Sequence, residues 1–282
     1  MVLTRDGYPN GVPCWVDTEQ PDPTGAAAFY GELFAWTLTD QMPPEAPGHY
    51  VAATVDGHAL AAVGSAADAA APAAWHTYVW VDDIDATAKQ VEAAGGTVVM
   101  APFDVFDAGR MAICLDPSGA PFRLWQAGVH RGAQIVDAPN SWVFSDLDTD
   151  DPQMALSFYG SVFGWEADEL DFGGGRTWML RQPGYGATLA QADPGLYDRL
   201  VEYKAPPHFE DAIGWLNQKD ASAGPARWNI TFAVDDTDGI VEGAVGLGAT
   251  VVSPPMDVGP TRVATLRDPQ GAVFTVSKFD PH

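Results

Sequence analysis

The chain has 282 residues, enough for two ordinary domains, and 46% hydrophobic against 18% charged residues excludes a disordered polymer. Its formal charge of −24, with 14 basic against 38 acidic side chains, argues against nucleic acid and anionic membranes as partners, because both are held mainly by Lys and Arg. No 18-residue apolar stretch occurs and the N-terminus lacks an apolar signal core, so the expectation is a soluble, cytoplasmic protein.

From Val12 the first apolar run reads as a strand and contains Cys14, one of only two cysteines. Cys114 lies in a similar run. The two lack metal-knuckle or redox spacing, which favours buried free thiols while leaving a disulfide open. The following segment, DPTGAAAFYGELFAW (Asp22 to Trp36), has an i, i+3, i+4 apolar stripe, with Asp-Pro supplying an N-cap and a proline at N1. Histidines His49 and His58 fall in the outer strands of this unit.

A second unit opens near Trp75. It runs through VDDIDATAKQVEAAGGTVV (Val81 to Val99), a strand, helix and strand, to the turn DPSGAPFRLWQ at Asp116 and an alternating final strand. Gly128 to Asn140, which includes His130, reads as a linker. The pattern then restarts at Ser141. DPQMALSFYGSVFGW repeats the first helix at an offset of 129 (Asp22 to Asp151), and VDDTDGIVEGAVGLGATVV repeats the second at 153 (Val81 to Val234). A final turn, DPQGAVFTVSK, begins at Asp268. The offsets differ by 24, which implies an insertion of that size, placed within 191–226 and suited to a lid or a plain surface excursion. His208 with Glu210 and Asp211 in this stretch reads as an exposed polar turn. Gly173 to Gly175 lacks nucleotide-site spacing. Arg110 and Arg262 correspond between the halves and read as sheet-edge residues.

Four units of strand, helix and about three strands, with FYxxxFGW on a helix, a VDD strand end and a DPxG hairpin, resemble the vicinal oxygen chelate superfamily of glyoxalases, bleomycin-resistance proteins and extradiol dioxygenases. The tandem layout is similar to an actinobacterial type of secondary metabolism sometimes labelled hydroxylase. The resemblance implies an α+β fold: four βαβββ units pairing into two glyoxalase-like domains, each a curved mixed sheet with a concave ligand cup. The expected boundaries are 1–127, a linker at 128–140, and 141–282.

The resemblance also implies where a divalent metal would be held. The corresponding positions are Trp15, His76 and Arg123 in the first domain and Phe144, Asn229 and Thr275 in the second. Only His76 is a good donor, and an arginine in place of a carboxylate repels a cation. The expectation is therefore no metal and no cofactor.

Strand alternation places Trp15 with Asp17, His76 with Tyr78 and Trp80, and Arg123 with Trp125 on the first concave face. It places Trp142, Phe144 and Asp146 with Asn229, Thr231 and Thr275 on the second. The first cup is richer in titrating groups, so Asp17 and His76 are the expected acid–base pair, with Arg123 orienting a flat ligand stacked on indoles. The same side chains would equally serve as buried pairs, Asp17–Arg123 or Asp17–His76, that knit the units together.

The resulting expectation is a metal-independent enzyme of lyase, isomerase or cyclase type. Its substrate would be a small hydrophobic metabolite, aromatic or polyketide-like. The alternative is a non-catalytic protein that sequesters a metabolite or antibiotic, and a metal-dependent glyoxalase or dioxygenase is disfavoured. With four units completing both sheets in one chain, a monomer or homodimer is expected.

Overall fold

The computed structural model describes residues 4–68, 70–171 and 176–280. The Gly173–Gly175 loop and His282 lie outside them. The first unit is β1 (Pro13–Gln20), α1 (Pro23–Phe34), β2 (Thr37–Asp40), β3 (Tyr50–Val55) and β4 (His58–Ser65). The second is β5 (Ala74–Trp80), α2 (Ile84–Ala93), β6 (Thr97–Val105), β7 (Gly109–Leu115) and β8 (Pro121–Ala127). The third comprises β9 (Ser141–Thr149), α3 (Pro152–Phe163), β10 (Glu166–Asp171), β11 (Arg176–Arg181), α4 (Tyr185–Ala192), α5 (Leu196–Glu202), a 3₁₀ turn at Phe209–Asp211 and β12 (Ala212–Gln218). The fourth is β13 (Arg227–Ala233), α6 (Thr237–Gly246), β14 (Thr250–Val258), β15 (Thr261–Arg267) and β16 (Val273–Phe279).

The strands form two eight-stranded mixed sheets, ordered β2-β3-β4-β1-β5-β8-β7-β6 and β10-β11-β12-β9-β13-β16-β15-β14. Within each sheet the two units meet through their first strands, which are antiparallel. The fold is therefore α+β, with two glyoxalase-like domains, as the repeat implied.

The helix starts follow from the aspartates. Asp22 Oδ1 accepts from the Gly25 backbone N–H at 3.0 Å, Asp151 Oδ1 accepts from that of Met154 at 3.0 Å, and each helix has its proline in the first turn. Asp83 and Asp236, the second acids of the VDD pairs, cap α2 and α6 in the same way. Arg110 and Arg262 pair with exposed acids, Asp85 and Asp238, at the sheet margins. Cys14 and Cys114 are buried and unpaired, and burial pushes the Cys114 thiol up to about 12.

The core lies between the sheets, and each FYxxxFGW helix packs against the other domain. Tyr30 and Phe34 of α1 meet Phe274 and Phe232 at 5.6 and 5.0 Å, while Phe158 and Tyr159 of α3 meet Phe122 at 6.0 and 5.7 Å. The tyrosine hydroxyls are buried and need partners. Trp75 Nε1 donates to Tyr30 Oη (2.9 Å), which donates to Asp268 Oδ2 (2.8 Å). The relay recurs as Trp228, Tyr159 and Asp116, at 2.9 and 3.1 Å. The DPxG aspartates thus do two jobs: Asp268 Oδ1 also accepts from the backbone N–H groups of Gln270, Gly271 and Ala272 within its own turn. Gly271 sits there at φ +112°, and Gly119 in the matching turn at +86°, conformations that favour glycine.

The insertion is placed differently from the expectation. Residues 212–218 are β12, an interior strand beside β9, and the excursion occupies 182–211, between β11 and β12. The equivalent β3–β4 connection is the two-residue turn Asp56–Gly57, both at positive φ as a tight hairpin requires.

Candidate functional site

The pairing registers set several of the residues assigned to the cups opposite one another, while Trp142 opposes Phe232 across a β-bulge. Across β1 and β5, Trp15 opposes Tyr78 and Asp17 opposes His76; across β5 and β8, Tyr78 opposes Arg123 and Trp80 opposes Trp125. In the second domain Asp146 opposes Asn229, Phe144 opposes Thr231, and Thr231 opposes Thr275.

The first cup is packed by its own side chains. Trp15, Asp17, Tyr78, Trp80, Arg123 and Trp125 are all buried, with Asp17 at 2% and Arg123 at 4% exposure. Arg123 Nη1 donates to Tyr78 Oη at 2.6 Å and to Asp17 Oδ1 at 3.3 Å, and Nη2 donates to Glu19. Asp17 Oδ2 also accepts from Tyr78 (2.6 Å) and Tyr50 (3.2 Å), and Tyr50 Oη in turn accepts from Trp15 Nε1 at 3.0 Å. Burial pushes the Asp17 carboxyl up, and the Arg123 charge with the Tyr78 bond opposes that shift. Of the two arrangements open from sequence, the Asp17–Arg123 pair is the one formed.

His76 does not bond to Asp17. Its nearest ion-pair partner is Glu19, with Nε2–Oε2 at 3.8 Å, and burial together with Arg123 holds the imidazole well below its ordinary range. His130, from the linker, adds a plug. Its ring meets Trp15 and Trp125 at 4.4 and 5.5 Å, its carbonyl accepts from Trp125 Nε1, and burial lowers it to about 4. Trp80 faces the linker end, where its ring carries the Arg131 guanidinium at 5.2 Å.

The second cup is open. Phe144, Asp146, Asn229, Thr275, Thr265 and Trp215 are half-buried, and the two threonine hydroxyls lie 3.3 Å apart. Thr231 Oγ1 donates to Asp146 Oδ2 at 2.6 Å, while Asp146 Oδ1 is buried with no hydrogen-bond partner among the described residues. Burial raises this carboxyl to about 7, Asp148 adds to the rise, and the bonds from Thr231 and the Trp215 backbone oppose it. Asp148 is tied down by Asn229 (2.7 Å) and Asn217 (3.3 Å). Beside Asp146, the rings of Phe144, Trp215 and Phe209 meet at 5.9 to 6.5 Å, with Phe209 supplied by the insertion.

Several participants were absent from the sequence reading. Glu19 and Asp148 follow from the same period-2 alternation carried one step further. Trp215 lies on β12, within the stretch 191–226 expected to hold the insertion, and no local signal brings Tyr50, His130 or Phe209 to a cup.

Residues 20–124 match the glyoxalase/bleomycin resistance protein/dioxygenase superfamily, and residues 142–277 match the glyoxalase-like domain. The chain belongs to this superfamily. Among its relatives, the anthracycline biosynthesis protein DnrV of Streptomyces peucetius is 36% identical over 290 residues, covering 97% of this chain and 94% of that one. The mycobacterial protein CFP32 (Mycobacterium tuberculosis strain CDC 1551 / Oshkosh) is 34% identical over 281 residues, covering 98% of each. The fold is shared with the Mn(II)-bound glyoxalase of Novosphingobium aromaticivorans, at TM-score 0.59 and 17% identity over 100% of this chain and 85% of that one. It is shared equally with the 2,3-dioxygenase LapB of Pseudomonas sp. KL28, at TM-score 0.59 and 13% identity over 96% and 93%.

The superfamily's divalent metal does not fit the donors present. In the first cup the Arg123 guanidinium, at the position where the resemblance implies a carboxylate ligand, brings a fixed positive charge to Tyr78 and Asp17. In the second, the positions are a phenyl ring, a carboxamide and a hydroxyl: Phe144, Asn229 and Thr275. Among the described residues no group of three His, Cys, Asp or Glu side chains is arranged to hold a metal ion. Nor is any described helix long and apolar enough to cross a membrane.

Proposed function

We propose that this chain is a metal-independent enzyme that acts on a flat aromatic, polyketide-like metabolite, with its second cup as the working site and Asp146 as the proton-transferring group. The observation that carries this reading is the Asp146 carboxyl. One oxygen accepts from Thr231, the other is buried without a hydrogen-bond partner among the described residues, and burial raises the group to about 7. A base poised near neutral pH beside an aromatic wall suits removal of a proton next to a carbonyl. The Thr265 and Thr275 hydroxyls supply donors for the oxyanion that develops. Return of the proton to another carbon gives isomerisation, and loss of a neighbouring hydroxyl as water gives dehydration. Identity to the anthracycline biosynthesis proteins supports a polycyclic aromatic substrate.

The rival site, Asp17 with His76, is disfavoured by the Arg123 and tyrosine bonds that already engage Asp17. The test is incubation with a tetracyclic anthracycline aglycone, followed by mass-resolved chromatography and Trp fluorescence. Wild type should convert the compound, and Asp146→Asn should bind it without conversion. Tight binding with the compound returned unchanged by wild type would instead establish sequestration. Conversion undiminished in Asp146→Asn would remove Asp146 from the chemistry.

A further inference from the structure

The insertion helps to form a partly open cavity beside the second cup. A cavity of about 140 Å³ lies where the N-terminal segment, the start of β9, α4, α5 and the 3₁₀ turn converge. Its walls are mainly apolar and aromatic, including Tyr8, Trp142, Phe144, Tyr185, Leu189 and Phe209. Engineered apolar cavities of roughly 150 Å³ hold one benzene ring, so the size class is that of a single ring.

One polar group in this wall is unanswered. Trp142 is 2% exposed and its Nε1 is buried with no hydrogen-bond partner among the described residues. An indole N–H can only donate, and leaving a buried donor unpaired is costly. The neighbouring cation is already engaged: Arg5 donates to the Tyr185 hydroxyl and its guanidinium lies 5.4 and 5.7 Å from the ring centroids of Tyr8 and Tyr185. Asp137 and Glu210 also border the space, which weighs against an anionic ligand.

We infer that this cavity is a binding site for one neutral aromatic ring bearing a carbonyl oxygen, with that oxygen accepting from Trp142 Nε1. The β3–β4 turn of the first domain is two residues long and offers no such roof, so the insertion has a role beyond surface decoration. Phe144 and Phe209 belong to this wall and also to the aromatic cluster beside Asp146. The inference goes beyond the acid–base reading and does not depend on which reaction the cup performs.

The test uses two probes of the same shape, acetophenone and α-methylstyrene, titrated calorimetrically into the full-length protein. Acetophenone should bind at one per chain, about five- to tenfold tighter than the alkene, the increment of one net hydrogen bond. Trp142→Phe should bring the two affinities together while leaving the alkene's unchanged. Leu189→Trp, which fills the space, should abolish both; should that variant fold poorly, the Trp142→Phe ratio decides alone. Asp146→Asn should alter neither affinity. The inference falls if wild type binds neither probe, if the preference for the ketone survives Trp142→Phe, or if Asp146→Asn removes binding.

Discussion

Asp17 and Asp146 occupy the same place in their domains, one on β1 and the other on β9, yet they meet opposite surroundings. Around Asp17 stand His76, Tyr78 and Arg123, with Tyr50 arriving from β3 and His130 closing on the neighbouring Trp15; around Asp146 the matching positions are Asn229, Thr231 and Thr275. Large aromatic rings and a guanidinium fill the first cup and satisfy its acid. Small hydroxyl and amide side chains leave the second open, with Asp146 Oδ1 lacking a hydrogen-bond partner among the described residues. Side-chain volume and hydrogen-bond capacity at four or five matching positions thus set how far each concavity is filled.

The contrast can be broken most forcefully at Asp146. Asp146→Asn should reduce turnover of a converted substrate by about 10²–10⁴-fold, the range for loss of a positioned acid–base group, while Asp17→Asn, where it folds, should reduce it far less. Steady-state kinetics on both variants checks this.

Arg123→Met probes the other side of the comparison. It strands Asp17 in a buried site, and urea denaturation should show a loss of about 3–5 kcal/mol. Thr275→Met, the matching position in the open cup, should cost far less.

A smaller effect sharpens the difference through pH. Asp146 is raised in the folded state to about 7, so its protonated form is the one folding favours, and stability is lost as pH rises through that value. Between pH 5 and pH 8 wild type should lose roughly 2–3 kcal/mol through this group, whereas Asp146→Asn lacks that dependence. Thermal melts of the two proteins should therefore diverge between about pH 5 and pH 7 and stay apart above it, with the variant the more stable. The smallest change expected is that of Tyr30→Phe, about 1–2 kcal/mol, from the unpaired Trp75 N–H and the weakened hold on Asp268.

Much of this architecture was legible because it is written in residues with few alternatives. Asp-Pro at Asp22 and Asp151 starts helices, DPxG closes hairpins, and period-2 alternation sorts Trp15 and Asp17 from Cys14 and Val16. The cross-strand partners Asp17 and His76, and Asp146 and Asn229, follow from that alternation, whereas the bulge beside Trp142 does not. Nor does which cup is open, because the answer depends on Tyr50 and His130, brought in by tertiary packing from β3 and the linker. The insertion was misplaced for a related reason. Two flanking motifs fix how many residues are extra but not where they sit, and Ile213 to Asn217 carries too short an apolar run to declare itself a strand. The same slip hid Trp215, and with it half of the aromatic wall beside Asp146.

The most direct measurement is a ¹³C-carboxyl NMR titration of the aspartates, with and without a tetracyclic anthracycline aglycone. Asp146 should titrate near 7, and ligand should shift its resonance while that of Asp17 stays unmoved. An Asp146 that titrates in the ordinary carboxylate range, together with a ligand-induced shift at Asp17, would place the working site in the first cup and contradict its assignment to the second.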